Sequence, residues 1–326
     1  MCGRFALRLD AAEIQQLDGY DVSVNEWERR EAFVPRYNIA PHSQAPVIRR
    51  RDPKDPQSII STMTWGLVPH YSKFEDKTLN TTNARSENLV EGGGMWASIK
   101  GPNRCAVVCQ GYYEWLTKGK NKLPHFVKPK DGRLMLMAGL YDSVVLQGET
   151  ETLWTFTIVT TAANSQLSWL HHRQPVILST SEALSTWLDT SSQKWNDDLA
   201  KLVAPTSFPL ECYQVPKEVG KVGTESPTFI VPVANRKDGI QAMFSKQKDK
   251  QASPKKAAPS PGAKRSLPPA DTEDDKVEIV DGPPPSKKSK PTPNKTKSTP
   301  KKKNVNSESP DLQPSSSKIT SFFSKP

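Results

Sequence analysis

Short apolar runs with a two-residue alternation dominate the first 235 positions of this 326-residue chain. Such alternation is typical of β-strands, because successive side chains of a strand point to opposite faces of a sheet. Strands are predicted at 45–50, 59–67, 104–115, 124–128, 133–141, 153–161, 176–178, 211–215 and 228–232. Helical spacing occurs at 11–17, 164–170, 180–188 and 195–202, and Ser179 with Glu182 forms a capping-box pattern before the third of these. Many short strands with few short helices predict an α+β fold around a largely antiparallel, partly closed β-sheet core.

One connection between these elements has a clear local signal. Asp131 and Gly132 are typical turn residues, and they stand between the strands predicted at 124–128 and 133–141. The sequence therefore predicts that these two strands pair as a hairpin.

The last quarter of the chain has a different composition. Residues 236–326 contain 20 of the 45 basic residues, 10 of the 35 acidic residues and 14 of the 29 prolines, and no aromatic residue lies between Phe244 and Phe322. A segment of this kind cannot bury a core. We therefore predict a folded domain at 1–235 and a disordered, basic C-terminal tail at 236–326. The remaining 25 basic and 25 acidic residues leave the domain neutral, so nucleic acid would have to be bound through a local arginine cluster.

Composition also excludes several classes of protein. No apolar run reaches the roughly 20 residues needed to span a membrane, and the N-terminus lacks a secretory pattern. Four cysteines give no disulfide framework in a chain of this size, which favours a reducing, intracellular compartment. Cys105 and Cys109 have no second metal-ligating pair, so we expect them in the core and predict no metal site.

Cys2 is the first candidate for chemistry. Removal of Met1 would leave a cysteine with both a free α-amine and a free thiol, and unperturbed pKa values of about 8 and 8.5 make both groups usable nucleophiles near neutral pH. The amine condenses with an aldehyde to an imine, and the thiol then closes a five-membered thiazolidine. An N-terminal Cys2 would thus capture an aldehyde covalently.

Further polar residues could assist such a capture. Glu114 lies between aromatic residues in a predicted strand, where desolvation favours a protonated carboxyl group suited to acid/base work. His171 follows a predicted helix, Asn83 offers an amide, and Arg85 offers a guanidinium for phosphate. From the residues alone, Glu114 as a surface carboxylate and His171 as a structural histidine stay open as alternatives.

Six motifs occur in a distinctive order. They are Met1-Cys2-Gly3-Arg4-Phe5, Arg36-Tyr37-Asn38-Ile39-Ala40-Pro41, Trp65-Gly66-Leu67-Val68-Pro69, Asn83-Ala84-Arg85-Ser86-Glu87, Gly111-Tyr112-Tyr113-Glu114-Trp115 and His171-His172-Arg173-Gln174-Pro175. The series resembles the SRAP (SOS response-associated peptidase) family across residues 1–235. The resemblance implies an SRAP-type fold.

The resemblance also implies a reaction. In this family the mature Cys2 forms a thiazolidine with the ring-opened aldehyde of an abasic site in single-stranded DNA, as a reversible crosslink that shields the lesion. Carried over by motif, Glu114 would be the acid/base, Asn83 would position the amine and the sugar, and His171 would protonate the sugar oxygen. The peptidase label would then describe autocatalytic or aminopeptidase removal of Met1. No cofactor is implied, and a monomer suffices.

The same motifs imply contacts with DNA. Phosphates beside the lesion would be bound by the guanidinium groups of Arg4, Arg85 and Arg173. Asn38, Pro41 and Trp65 would line the pocket and the path of the strand. Tyr71 stands near the position where relatives commonly have a tryptophan, and it would stack at a junction of double-stranded and single-stranded DNA.

The tail carries three short motifs. Lysine clusters such as Lys301-Lys302-Lys303 resemble nuclear import signals, which predicts a nuclear protein associated with replicating chromosomes. Ile319, Phe322 and Phe323 have the spacing of a box that binds the sliding clamp PCNA. The strand-like segment 277–280, beside acidic residues, resembles a SUMO-binding motif.

Two other functions remain open at the level of sequence. A non-covalent reader of modified DNA bases would use the same arginines and aromatic residues without needing Cys2. A thiol peptidase would use Cys2 as its nucleophile and depend on His171.

Overall fold

The structure is a computed structural model that describes residues 2–22, 24–76 and 78–235. The predicted tail at 236–326, with Ile319, Phe322 and Phe323, lies outside the described residues.

The described residues form an α+β fold. Its strands are β1 (Phe5–Leu7), β2 (Trp27–Glu28), β3 (Arg36–Ile39), β4 (Gln44–Asp52), β5 (Asp55–Trp65), β6 (Asn83–Arg85), β7 (Arg104–Cys109), β8 (Gly111–Lys118), β9 (Asn121–Pro129), β10 (Met135–Val144), β11 (Leu153–Ala162), β12 (Arg173–Pro175) and β13 (Leu210–Gln214). Its α-helices are α1 (Ala11–Gln16), α2 (Ser86–Val90), α3 (Ser181–Leu188) and α4 (Asp197–Leu202).

Two sheets organise these strands. The smaller sheet has the order β13-β9-β8-β1-β3, and the larger has the order β12-β11-β10-β7-β4-β5-β2. Most pairs are antiparallel, but β5 also pairs in parallel with β11, at Thr64 with Thr155 and at Trp65 with Phe156. This pairing joins β11, β10, β7, β4 and β5 into a closed ring. The predicted largely antiparallel, partly closed sheet core is confirmed.

The segment 104–118 passes from one sheet to the other. β7 pairs with β4 and β10 in the larger sheet, and β8 pairs with β1 and β9 in the smaller one. Gln110 lies between them, and its N–H donates to the Ala6 carbonyl (2.8 Å). Cys105 and Cys109 are fully buried in the core, as expected from their apolar surroundings.

The predicted hairpin of 124–128 with 133–141 is wrong. Its first strand, β9, pairs with β8 and β13, whereas the second, β10, pairs with β7 and β11. The actual hairpin is β8–β9, closed by the two-residue turn Gly119-Lys120, in which Gly119 has φ +60°. A two-residue turn with a glycine in the left-handed region suits the strand twist better than the longer connection through Gly132.

Three other elements differ from expectation. The strand predicted at 176–178 is replaced by β12 at Arg173–Pro175 and an isolated bridge between Met137 and Ile177. Residues 165–170 form turns instead of a continuous helix. The Asn164 side-chain oxygen accepts the N–H groups of Gln166 (3.0 Å) and Leu167 (3.2 Å), as an N-cap does, and single helical bonds follow from Ser168 N–H to the Asn164 carbonyl (2.9 Å) and from His171 N–H to the Leu167 carbonyl (3.1 Å). The strand expected at 228–232 is a 3₁₀ helix at Pro227–Ile230. None of the helices in the described part of the chain has the length and apolar character needed to cross a bilayer.

Candidate functional site

Strand pairing brings Cys2 into the interior. β1 lies between β3 and β8, and the Tyr113 N–H donates to the Arg4 carbonyl (2.9 Å), which extends the β1–β8 contact towards the N-terminus. Cys2 is fully buried. Burial raises the pKa of its thiol well above the usual value, and the nearby Glu114 carboxylate adds to this rise. The Cys2 thiol is therefore neutral at physiological pH.

Asn83 holds the backbone of Cys2 in place. β6 carries Asn83 alongside β11, and its Nδ2 donates to the Cys2 carbonyl (2.9 Å). Its Oδ1 atom is buried and accepts no hydrogen bond within the described part of the chain. A buried acceptor without a partner costs about 1–3 kcal/mol. A donor arriving beside Cys2, such as an amine or a sugar hydroxyl, would relieve this cost.

Glu114 and His171 meet at the same place. Glu114 is buried at 5% exposure, its Oε1 accepts the Trp115 N–H (3.2 Å), and its Oε2 lies 3.9 Å from His171 Nδ1. The surface carboxylate that the sequence left open is thereby excluded. Tyr113, on the opposite face of β8, packs in a cluster separate from that of Cys2 and Tyr112.

His171 is held by the backbone of Arg173. Its Nδ1 atom lies 3.0 Å from the backbone nitrogen and 3.2 Å from the carbonyl oxygen of Arg173, so these contacts are compatible with either neutral tautomer. Burial lowers the pKa of His171, although Glu114 partly opposes this shift. The site therefore holds a neutral imidazole beside the carboxyl group of Glu114.

Arg4 and Asn38 form a buried network. Arg4 Nη1 donates to Asn38 Oδ1 (2.7 Å) and to the Val219 carbonyl (2.9 Å), and the guanidinium lies 5.8 Å from the centre of the Trp115 ring. Asn38 donates in turn to the Thr224 carbonyl (3.0 Å). In this structure both side chains tie the segment 217–224 to the smaller sheet.

The other two arginines differ in exposure. Arg173 is 8% exposed; it forms a bidentate ion pair with Glu87 and donates to the Thr160 carbonyl (2.7 Å). Arg85 is exposed and, with Asn83, lines a cavity of about 280 Å³. Glu87 was not predicted as a functional residue, although it lies inside the Asn83–Glu87 motif. Its carboxylate fixes the guanidinium of Arg173.

Of the three remaining predicted contacts, one lies in the core and two are accessible. Trp65 is fully buried; its Nε1 donates to the Thr82 carbonyl (2.9 Å) and its ring packs against Phe5 (5.1 Å between centroids). It therefore exposes no ring face for a base. Pro41 is half-buried in the turn after β3. Tyr71 is 63% exposed, with the similarly exposed Phe74 in the same loop.

Acidification is expected to destabilise the domain. Burial lowers the pKa of His125, as it does that of His171, below the usual 6.5, so both rings are neutral in the folded state at neutral pH. The unfolded state takes up these protons more readily, so the free energy of unfolding is retained above about pH 6.5 and falls below it. Urea unfolding between pH 7.5 and 5.5 measures this decline. His125→Gln should make the decline shallower, and an unchanged slope would contradict the assignment.

Fold and site together define a closed β-sheet protein with a buried cysteine at position 2 set against an amide, a carboxylate and an imidazole. The family model for SOS response associated peptidase (SRAP) matches residues 1–222. The chain belongs to this family.

Several known proteins are similar to the chain. The abasic site processing protein YMR114C of Saccharomyces cerevisiae is 36% identical over 279 residues, which cover 77% of this chain and 72% of the relative. The abasic site processing protein HMCES of Gallus gallus is 31% identical over 268 residues, with 72% and 78% covered. A crystal structure of a protein from Bacteroides thetaiotaomicron superimposes with a TM-score of 0.60 at 26% identity, covering 71% of this chain and 99% of that one.

Proposed function

We propose that this protein processes abasic sites in DNA, and that it does so by forming a reversible covalent crosslink between the mature Cys2 and the lesion in single-stranded DNA. The observation that carries the proposal is the convergence of Asn83, Glu114 and His171 on a buried Cys2. The yeast and chicken relatives are abasic site processing proteins, which supports the choice of substrate.

The reaction starts with hydrolytic removal of Met1, which frees the α-amine of Cys2. The amine attacks the C1 aldehyde of the ring-opened deoxyribose, and the carbinolamine loses one water to give an imine. The thiol sulfur then bonds to the imine carbon while its proton passes to the nitrogen, which closes the thiazolidine. The product has the mass of protein plus DNA minus one water.

Each polar residue of the site has a role in these reaction steps. The imidazole of His171 donates a proton to the ring oxygen of the sugar as the ring opens. Glu114 takes a proton from the attacking amine and returns one to the departing water. The unpaired Oδ1 of Asn83 accepts from the amine while its Nδ2 holds the Cys2 carbonyl. The reverse transfers through Glu114 make the crosslink reversible.

Protonation of the site argues against the peptidase alternative. A cysteine nucleophile of a peptidase needs a thiolate, which enzymes stabilise with a neighbouring imidazolium that lowers the thiol pKa. Here burial and Glu114 raise the pKa of Cys2, and burial lowers that of His171. In the proposed reaction the amine is the first nucleophile, and the thiol adds only afterwards to the imine carbon. A thiol that is neutral at the start is compatible with this order.

Intact mass spectrometry tests the proposal. The mature protein is mixed with a single-stranded oligonucleotide that carries one abasic site, and a tetrahydrofuran spacer without an aldehyde serves as the control. The expected result is a heat-stable adduct of protein plus DNA minus one water, located by trypsin on the peptide Cys2–Arg4. An adduct on a lysine instead, or equal binding of both oligonucleotides with no adduct, would overturn it; the second result would favour the non-covalent reader.

For the tail we propose recruitment to the sliding clamp in the nucleus. Ile319, Phe322 and Phe323 supply the aliphatic and paired aromatic anchors of a clamp-binding box. A peptide of residues 311–326 is expected to bind PCNA, and the double change of Phe322 and Phe323 to alanine is expected to abolish binding in calorimetry. Equal binding of both peptides would contradict this proposal.

A further inference from the structure

Trp169 stands out among the tryptophans. All eight lie within the described residues, and Trp169 is the one that is exposed, at 51%. Single exposed apolar residues are common on protein surfaces, so exposure alone assigns nothing. The orientation and the position of this indole ring provide two independent observations.

The ring is held in one orientation. Its Nε1 donates to the Gln166 carbonyl (2.8 Å), and the ring makes a T-shaped contact with His125, with centroids 5.4 Å apart and planes at 84°. The surrounding turn is anchored by the buried side chains of Leu167 and Leu170. The polar atom of the indole is therefore satisfied, and the exposed part of its surface is a preformed apolar platform.

The platform lies at the rim of the candidate site. Trp169 precedes His171 by two residues, and His171 lies 3.9 Å from Glu114. His125, which contacts Trp169, pairs directly with Glu114 across β8 and β9. Residues directly opposite in an antiparallel pair have Cβ atoms about 4.5–5.5 Å apart. The indole is thus one side chain away from the carboxylate of the site.

We propose that Trp169 is a stacking platform for the unpaired nucleobase of a nucleotide next to the lesion. This inference rests on the proposed function of the site. An abasic nucleotide leaves its neighbouring bases without one stacking partner, and an indole face can replace that partner. The folded domain has no net positive charge, so affinity for DNA must come from local contacts. Stacking of this kind is tolerant of base identity.

Trp169→Ala tests the platform. Crosslinking rates are measured at DNA concentrations below saturation with an abasic oligonucleotide, and separately with free 2-deoxyribose, which has the aldehyde but no neighbouring base. The variant is expected to lower the ratio of the DNA rate to the deoxyribose rate roughly 10-fold or more, and Trp169→Phe should recover part of it. Val145→Ala, at an equally exposed apolar position after β10, is the matched control.

A scan of the oligonucleotide identifies the stacked base. Flanking nucleotides are replaced one at a time by tetrahydrofuran spacers, which lack both base and aldehyde. Replacement of the nucleotide that stacks on Trp169 should lower the crosslinking rate of the wild type and leave the rate of Trp169→Ala unchanged. A 2-aminopurine at that position should lose fluorescence on binding to the wild type only. Equal effects on both proteins at every position would overturn the platform.

The two proposals fail differently. If the wild type forms no adduct with either DNA or 2-deoxyribose, the proposed crosslinking is wrong, whatever the scan shows. If adducts form but Trp169→Ala retains the full preference for DNA, the platform is wrong and the crosslinking stands. Equal thermal unfolding midpoints of the two proteins confirm that the variant is folded.

Discussion

Replacing Cys2 with alanine is expected to abolish the heat-stable adduct with abasic DNA completely. Alanine keeps the α-amine, so an imine still forms, but no thiol can close the thiazolidine, and the imine hydrolyses during heating. The contacts that hold the N-terminus, including the bond from Asn83 to the residue 2 carbonyl, do not depend on the thiol. Denaturing gel electrophoresis after heating, with and without prior borohydride reduction, measures both species.

Two variants sharpen this prediction. Cys2→Ser should behave like alanine after heating but give a reducible adduct with borohydride, because its amine is intact. Cys212→Ala removes a half-buried thiol of β13 and should crosslink like the wild type. A heat-stable adduct of Cys2→Ala would show that another residue captures the aldehyde.

Alternation in the sequence predicts where strands lie far better than it predicts which strands pair. The strand at 153–161 appears at nearly the expected bounds, whereas the single strand predicted at 104–115 divides at Gln110 into β7 and β8, which belong to different sheets. The hairpin predicted at Asp131-Gly132 is wrong because a competing turn signal, the shorter Gly119-Lys120, joins the strands that actually pair. The parallel contact of β5 with β11 joins residues about 90 positions apart and has no local signal.

The candidate site was predictable as a set of residues but not as an environment. Motif resemblance selected Cys2, Asn83, Glu114 and His171, which four separate segments bring together. The burial of each site residue is not visible in a motif. The motif around Arg4, for example, does not show that carbonyl groups more than 200 positions later in the chain enclose its guanidinium. Motif resemblance predicts Trp65 along the path of the DNA strand, but tertiary packing buries it in the core.

Glu114→Gln is expected to slow crosslink formation roughly 10²- to 10⁴-fold while DNA affinity changes little. Glutamine has nearly the same size and still accepts the Trp115 N–H, but its amide can neither take up the proton of the amine nor return it to the leaving water. Because reversal uses the same transfers, release of a preformed crosslink should slow as well. Single-turnover rates at saturating DNA separate this loss from a loss of binding.

The matched control is Glu211→Gln, which makes the same chemical change on β13 of the same sheet. The Glu211 carboxylate is half exposed and forms an ion pair with Lys128 (3.3 Å). Its rate should equal that of the wild type, because an exposed ion pair contributes little and lies outside the site. A normal crosslinking rate in Glu114→Gln would assign the proton transfers to His171 alone. His171→Gln would then have to carry the whole loss, and the two residues would not act as a pair.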